Sequence, residues 1–288
     1  MGMIRIDAHQ HFWRYRAAEY PWMAEGMEVL QHDHLPQHLR PLLDAHRIVG
    51  CIAVQARAIE TETDFLLNLA REHDWIMAVI GWVDLRADDL QRRLARWDEW
   101  DKLAGFRQLL QDEADVPAVL ADGAFNRGVA TLQTQQQVYE VLVRAAQLAA
   151  VPAFCARHDR HWLVLDHLGK PAIGGDGEAQ WREYLRQLAA LPHVLCKVSG
   201  LVTEVGAPAV DAAVLQRYLD IALDLFGARR LMFGSDWPVC LLKAEYAQVF
   251  DIVERWAARL SSAEQANLWS GTAARCYGLR MQQTNGTA

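Results

Sequence analysis

Eight short runs rich in valine, isoleucine and leucine recur along this chain of 288 residues, and longer segments of a different rhythm separate them. The runs fall at 4–8, 49–55, 76–83, 103–107, 138–143, 162–166, 194–197 and 230–233; each has the length of a strand, and most have the β-branched content of one buried on both faces. Between them lie stretches such as "LPQHLRPLLDAH", "TETDFLLNLAREH" and "DLQRRLARWDEW", in which apolar residues return every three or four positions. That spacing gives a helix one apolar face to lay on a sheet. Strictly alternating strands and helices, with no long Gly, Ser or Pro linker, predict one domain: a closed (β/α)8 TIM barrel of parallel strands. The competing doubly wound sheet would carry a glycine-rich phosphate turn after its first strand, and "DAHQHFW" is no such turn.

Local signals agree with this register. Ser261 and Glu264 read as a capping box, and Pro36 and Pro152 stand where the first turn of a helix tolerates a missing N–H. Residues 14–35 are too long for a simple connection and are expected to form an excursion over the barrel mouth. Residues 281–288 are polar and are expected to be a disordered tail. A net charge of −7 with scattered basic residues argues against nucleic acid as a partner. Five cysteines without metal-type spacing fit reduced thiols, and no apolar stretch is long enough to span a bilayer. The expectation is a cytoplasmic protein, free of membrane and nucleic acid, for which a homo-oligomer is compatible.

In such a barrel the chemistry collects at the C-terminal ends of the strands. Strand one ends in His9 and His11, strand four in Arg107 and Gln108, strand six in Asp166 and His167, strand seven in Lys197 and Ser199, and strand eight in Ser235 and Asp236. Strands two and three contribute Gln55 and Asp84. In extended chain His9 and His11 point to one face. They either bind something there or share a wet edge. Closing the barrel sets strand eight beside strand one and brings Asp236 to the two imidazoles.

The motifs "DAHQHFW", "GWVDL", "GFRQLLQDE", "LDHLGKP", "KVSGLVTE" and "LMFGSDWPV" fall in order on these strand ends. Together they resemble the amidohydrolase superfamily, in its branch of sugar-lactone hydrolases, over residues 4–279. The resemblance implies a distorted eight-stranded barrel and hydrolysis of an aldonolactone, such as L-fucono-, L-galactono- or L-rhamnonolactone, to its sugar acid. Opening a lactone takes an activated water, a polarised carbonyl and a proton for the ring oxygen. Asp236 is the candidate general base and then acid, and His167 with Arg107 is placed to hold the carbonyl oxygen or ring hydroxyls. Trp13, Trp22, Trp82 and Trp237 are candidate walls for the sugar, and Lys197 either contacts the substrate or pairs with a neighbouring acid.

His9, His11 and Asp236 also suit one divalent ion, with imidazole and carboxylate favouring zinc. Some members of the branch work without a metal, so both versions remain. In one respect the chain departs from the superfamily. Where metal-dependent members place a His or modified Lys at the end of strand five, "VYEVLVRAAQL" offers only Gln147 as a neutral polar group. The second HxH, His32 and His34, precedes a helix and reads as its solvated entry, and Glu113 and Glu204 read as loop carboxylates. Competing functions are hydrolysis of an acidic lactone or decarboxylation, and, outside enzymes, a barrel that binds sugar acids without turnover. The apparent rim cations, Arg107 and Lys197, are few for a dicarboxylate.

Overall fold

The computed structural model describes residues 2–206 and 211–280. The expected tail, 281–288, lies outside the described residues. Eight strands occupy the positions of the apolar runs: β1 (Ile6–Gln10), β2 (Gly50–Val54), β3 (Ile76–Gly81), β4 (Leu103–Gln108), β5 (Val138–Val141), β6 (Leu163–Leu165), β7 (Val194–Val198) and β8 (Leu231–Phe233). All neighbouring pairs are parallel and follow sequence order, as a right-handed alternation with helices requires. β1 sits two residues later than its run, because its pairing with β2 starts at Ile6↔Gly50 and shifts register between Asp7 and Gln10.

The outer layer is built by α1 (Pro36–Ala45), α2 (Glu60–Glu72), α3 (Leu90–Leu94), α4 (Val116–Ala121), α5 (Gly123–Thr134), α6 (Val151–Arg157), α7 (Glu178–Ala189), α8 (Ala212–Phe226) and α9 (Tyr246–Ala257). α10 (Ser262–Ala266) and α11 (Thr272–Cys276) follow, joined by a π-helical turn. Short polar side chains start several of them. Asp115 and Asp122 accept from the Ala118 and Phe125 amides, and Ser261 and Glu264 form the reciprocal cap. None of these helices is long and apolar enough to cross a membrane.

A strand period of two sorts its side chains between two cores. Cys51, Ala53, Tyr139, Val141, Leu163, Leu165, Cys196, Val198, Leu231 and Phe233 point outward to the helices. Ile52, Val54, Val138, Val164, Leu195 and Met232 point inward and fill the lower barrel, where Ala273, Cys276 and Tyr277 close the bottom. Closure at the top is made by the chain just after β8. Asp236 N donates to His9 O at 2.8 Å and His11 N to Trp237 O at 2.7 Å. The Asp7 carboxylate spans the same seam, accepting from Ser235 N at 2.8 Å and Tyr246 OH at 3.1 Å.

The excursion is tied at its neck by paired bonds between Trp13 and His34, at 2.9 and 3.0 Å. It has its own small core of Trp13, Tyr20, Met23 and Leu30, which packs on Ala56, Val239 and Leu242 above the strand ends. Arg57 holds it from the side, bonding Glu19 and the buried Glu62 and lying over the Tyr20 ring.

Candidate active site and metal centre

The closing seam is where the first chemical constellation forms. His9 Nε2 and His11 Nε2 lie 3.2 Å apart, Asp236 Oδ1 is 3.3 Å from His11 Nε2 and 3.7 Å from His9 Nε2, and all three residues are buried. Ligand atoms around a tetrahedral zinc at ~2.0–2.1 Å are about 3.3 Å apart, so this donor set fits a divalent ion. The protonation pattern around His11 fits as well. Its Nδ1 lies 2.7 Å from the Val54 carbonyl, which fixes the proton there and leaves a lone pair at Nε2. Two imidazoles and a carboxylate converging without solvent would otherwise be costly to bury.

Electrostatics keep the His9 and His167 rings neutral and the Asp236 carboxylate charged. Burial, reinforced by the Lys197 ammonium and opposed by Asp166, holds His9 well below the usual histidine range. Burial likewise lowers His167 to about 4, although Asp236 and Asp166 pull the other way. For Asp236 burial opposes ionisation, but His167, the His11 hydrogen bond and His9 outweigh it and hold the carboxyl well below its usual range. Arg107 Nη1 donates to Asp166 Oδ2 at 2.9 Å and its Nη2 to the Gln55 carbonyl, which locks the guanidinium 3.4 Å from His9 Nε2.

His167 is presented by an unusual backbone. His167, Leu168, Gly169 and Lys170 all have positive φ, 54°, 51°, 68° and 51°, forming a left-handed turn. Such a conformation costs roughly 1–2 kcal/mol per non-glycine residue and persists only where its surroundings impose it. Its effect is to put His167 and Lys170 on one side, both lining the cavity. The His167 Nδ1 sits 2.8 Å from Ser199 Oγ. Gly200, at φ +62°, allows this approach, since a Cβ there would come within 2.5 Å of the His167 ring.

Above the floor lies a cavity of about 260 Å³. His11, Arg107, His167 and Asp236 form its base, and Trp22, Met27, Leu142, Val239 and Leu242 form an apolar wall. Several expectations are corrected here. Of the four tryptophans, Trp22 lines the cavity. Trp13 and Trp237 are buried behind it and bracket the His34 ring, at centroid distances of 5.2 and 5.1 Å. Trp82 instead donates to Gln108 Oε1 at 2.8 Å. Lys197 is fully buried beneath His9, bonded to Glu140 Oε2 at 2.6 Å, and does not face the cavity. His34 is no solvated helix entry: it is buried and bonds the Val29 carbonyl at 3.1 Å.

Beyond Gln147, the neutral polar group expected after strand five, the strand itself carries the fully buried Glu140. A lone acid inside "VYEV", matched by a lone lysine inside "LCKV", was the available signal for an inward ion pair. The rim also carries cations beyond Arg107. Arg144 and Lys170 line the cavity, each facing a carboxylate at 3.6 Å, Asp112 and Glu204 respectively. Glu204 thus belongs to the cavity, whereas Glu113 binds Gln108.

Comparison with known proteins places this geometry. The amidohydrolase family profile matches residues 6–279. The chain is 58% identical over 289 residues to an L-fucono-1,5-lactonase of Burkholderia multivorans, covering 97% of each chain. It is 35% identical to an L-fucono-1,5-lactonase of Burkholderia ambifaria, covering 84% of this chain and 83% of that one. A crystal structure of an amidohydrolase from Burkholderia multivorans with bound zinc superposes with a TM-score of 0.93 at 58% identity, covering 96% of this chain and all of the other. With a barrel seam carrying two imidazoles and a carboxylate, and a match that spans almost every described residue, this chain belongs to the amidohydrolase family.

Proposed function

We propose that this chain hydrolyses the ring ester of a neutral aldonolactone, of the L-fucono-1,5-lactone type, to the open sugar acid. The observation that carries the reading is the convergence of His9, His11 and Asp236, of which His11 and Asp236 form part of the floor of a cavity walled on one side by apolar groups. At about 260 Å³ the cavity is smaller than the roughly 300–1,000 Å³ usual for drug-sized ligands, which suits one sugar ring. Its cations are each met by a carboxylate, Arg107 by Asp166, Arg144 by Asp112 and Lys170 by Glu204, so no uncompensated positive charge calls for a dicarboxylate.

His9, His11 and Asp236 would hold a divalent ion, zinc by its ligand preference, and when bound it supplies Lewis-acid polarisation of the ester and a more acidic water. The side chains do the rest. Asp236, ionised at neutral pH, takes a proton from the attacking water and returns it to the ring oxygen as the ester C–O bond breaks. His167, its Nδ1 engaged by Ser199 Oγ, presents Nε2 4.0 Å from Asp236 Oδ1 to bond oxygen in the cavity. Arg107, locked by two acceptors, presents a fixed positive group beside the same point. Trp22 and Met27, brought over the mouth by the excursion, screen the reacting ester from solvent. The five cysteines are buried and unpaired, which supports residence in a reducing compartment.

A pH-indicator assay over neutral aldonolactones and a pyrone dicarboxylate, with elemental analysis of the same sample, tests the reading. Turnover of a neutral 1,5-lactone with about one equivalent of zinc is expected. Turnover of the dicarboxylate alone would overturn it.

A further inference from the structure

The cavity wall carries two ion pairs to which the hydrolysis described above gives no work. Arg144 and Asp112 lie 3.6 Å apart with about half of each side chain in solvent, and a pair so exposed contributes little. Lys170 Nζ and Glu204 Oε1 are also 3.6 Å apart, but their side chains are only 15% and 20% exposed. Opposite charges drawn this far out of water normally close to a charge-assisted bond of about 2.7–2.9 Å. This pair stands open, and among the described residues no shorter polar contact compensates either side chain.

The backbone sets both ends of the gap. Lys170 N donates to His167 O at 2.8 Å, closing the left-handed turn, so Lys170 stands one turn along from His167 and both line the cavity. Glu204 ends a short 3-10 turn (Val202–Glu204) that follows Ser199 and Gly200, the two residues set against the His167 ring. Ile173 N donates to Glu204 O at 3.2 Å and Gly206 N to Ile173 O at 3.4 Å, which fastens the two loops together. An ammonium can only donate and an ionised carboxylate can only accept, whereas a hydroxyl does both. One hydroxyl oxygen beside the pair, about 2.8 Å from each ion, would satisfy both at once. The apolar wall of Trp22, Met27, Val239 and Leu242 has no side-chain partner for a hydroxyl except the Trp22 indole N–H, so the hydroxylated edge of a sugar ring is better met at Lys170 and Glu204.

We propose that Lys170 and Glu204 are a specificity-determining pair, holding between them the hydroxyl on the ring carbon next to the ester carbonyl. His167 serves the reacting ester, and the substituent of the adjoining carbon falls one turn along, where Lys170 stands. The inference rests on the lactonase reading above and deepens it by naming the group that the site recognises: the substrate is a 2-hydroxy lactone.

The test measures kcat/KM of the full chain for L-fucono-1,5-lactone and for its 2-deoxy counterpart, each scaled by that lactone's own rate of alkaline hydrolysis. The unsubstituted protein is expected to favour the hydroxylated lactone about 10- to 100-fold, the range that follows from a hydrogen bond to a charged group. Lys170→Met and Glu204→Gln are each expected to lose most of that factor on the hydroxylated lactone and to change little on the 2-deoxy one, so that the ratio falls toward one. A pair that merely braced the His167 turn would instead lower both lactones alike and leave the ratio where it was. An unchanged ratio in the folded variants, or equal kcat/KM for the two lactones in the unsubstituted protein, overturns the inference while the lactonase reading stands. If one variant does not fold, the other decides, and the ratio in the unsubstituted protein tests the proposal without either. Absence of turnover of both lactones by the unsubstituted protein would overturn the lactonase reading itself, and the inference with it.

Discussion

In the proposed mechanism Asp236 carries two duties, closing the donor set with His9 and His11 and moving the proton of the attacking water. Its backbone prepares it for both, since a φ of 59° turns the chain so that the amide bonds His9 O while the carboxylate faces His11 Nε2. Aspartate tolerates this left-handed conformation better than most residues. Replacing it by asparagine keeps the shape and removes the base. Asp236→Asn is expected to lower kcat at least ~10²-fold while circular dichroism stays close to that of the unsubstituted protein. Near-normal turnover in that variant would show that another group moves the proton. At this scale much was legible beforehand: His9, His11, Asp236, His167 and Arg107 could be named from strand ends alone. The direction of Lys197 could not, because only the partner across the barrel, Glu140, decides that it points down rather than into the cavity.

Among the elements, the excursion between β1 and α1 adds Trp22 and Met27 to the cavity wall, and its anchor is an uncharged histidine. His34 sits between Trp13 and Trp237, and burial, with His32 adding to it, lowers its pKa to about 4. In the unfolded chain the ring protonates near 6.5. The unfolded state therefore binds a proton that the folded state refuses. The stability contributed by the neutral ring is complete above about pH 6.5 and is lost as pH falls toward about 4. The melting temperature should decline over this window, and His34→Gln should make the decline shallower. It would not become flat, because burial holds His158 and His167 near the same value. An unchanged slope in the variant would mean that His34 is not a titrating anchor of the excursion.

For the molecule as a whole, the seam between first and last strands is the proposed chemical centre and also a structural weak point. β8 forms its ladder with β7, while the link to β1 is made by a few bonds from residues 235–237 and by the Asp7 carboxylate. Burial raises the Asp7 carboxyl to about 6, even though Ser235, His9 and Tyr246 all favour its charged form. An ion held by His9, His11 and Asp236 would pin both sides of this seam. A ligand at 100 times its Kd stabilises a fold by about 2.7 kcal/mol, which in a chain of this size is a rise of several degrees. Chelation should accordingly lower the melting temperature and zinc should restore it. His9→Ala should show neither effect and should contain no stoichiometric metal; retention of the metal there would place the ligands elsewhere.

The alternation of strands and helices, and the chemistry at the strand ends, could be read from residue order because both obey short periods, 2.0 and 3.6 residues, that need no knowledge of distant chain. So could the capping box at Ser261 and the excursion's length. Folding decided the remainder. It set β1 two residues later, drew His34 into an aromatic bracket, turned "HLGK" left-handed so that Lys170 reached the cavity, and joined Glu140 to Lys197 in the barrel interior. Each of these depends on which groups meet when a curved sheet closes on itself, and such meetings lie between residues too far apart in sequence for any local pattern to record them.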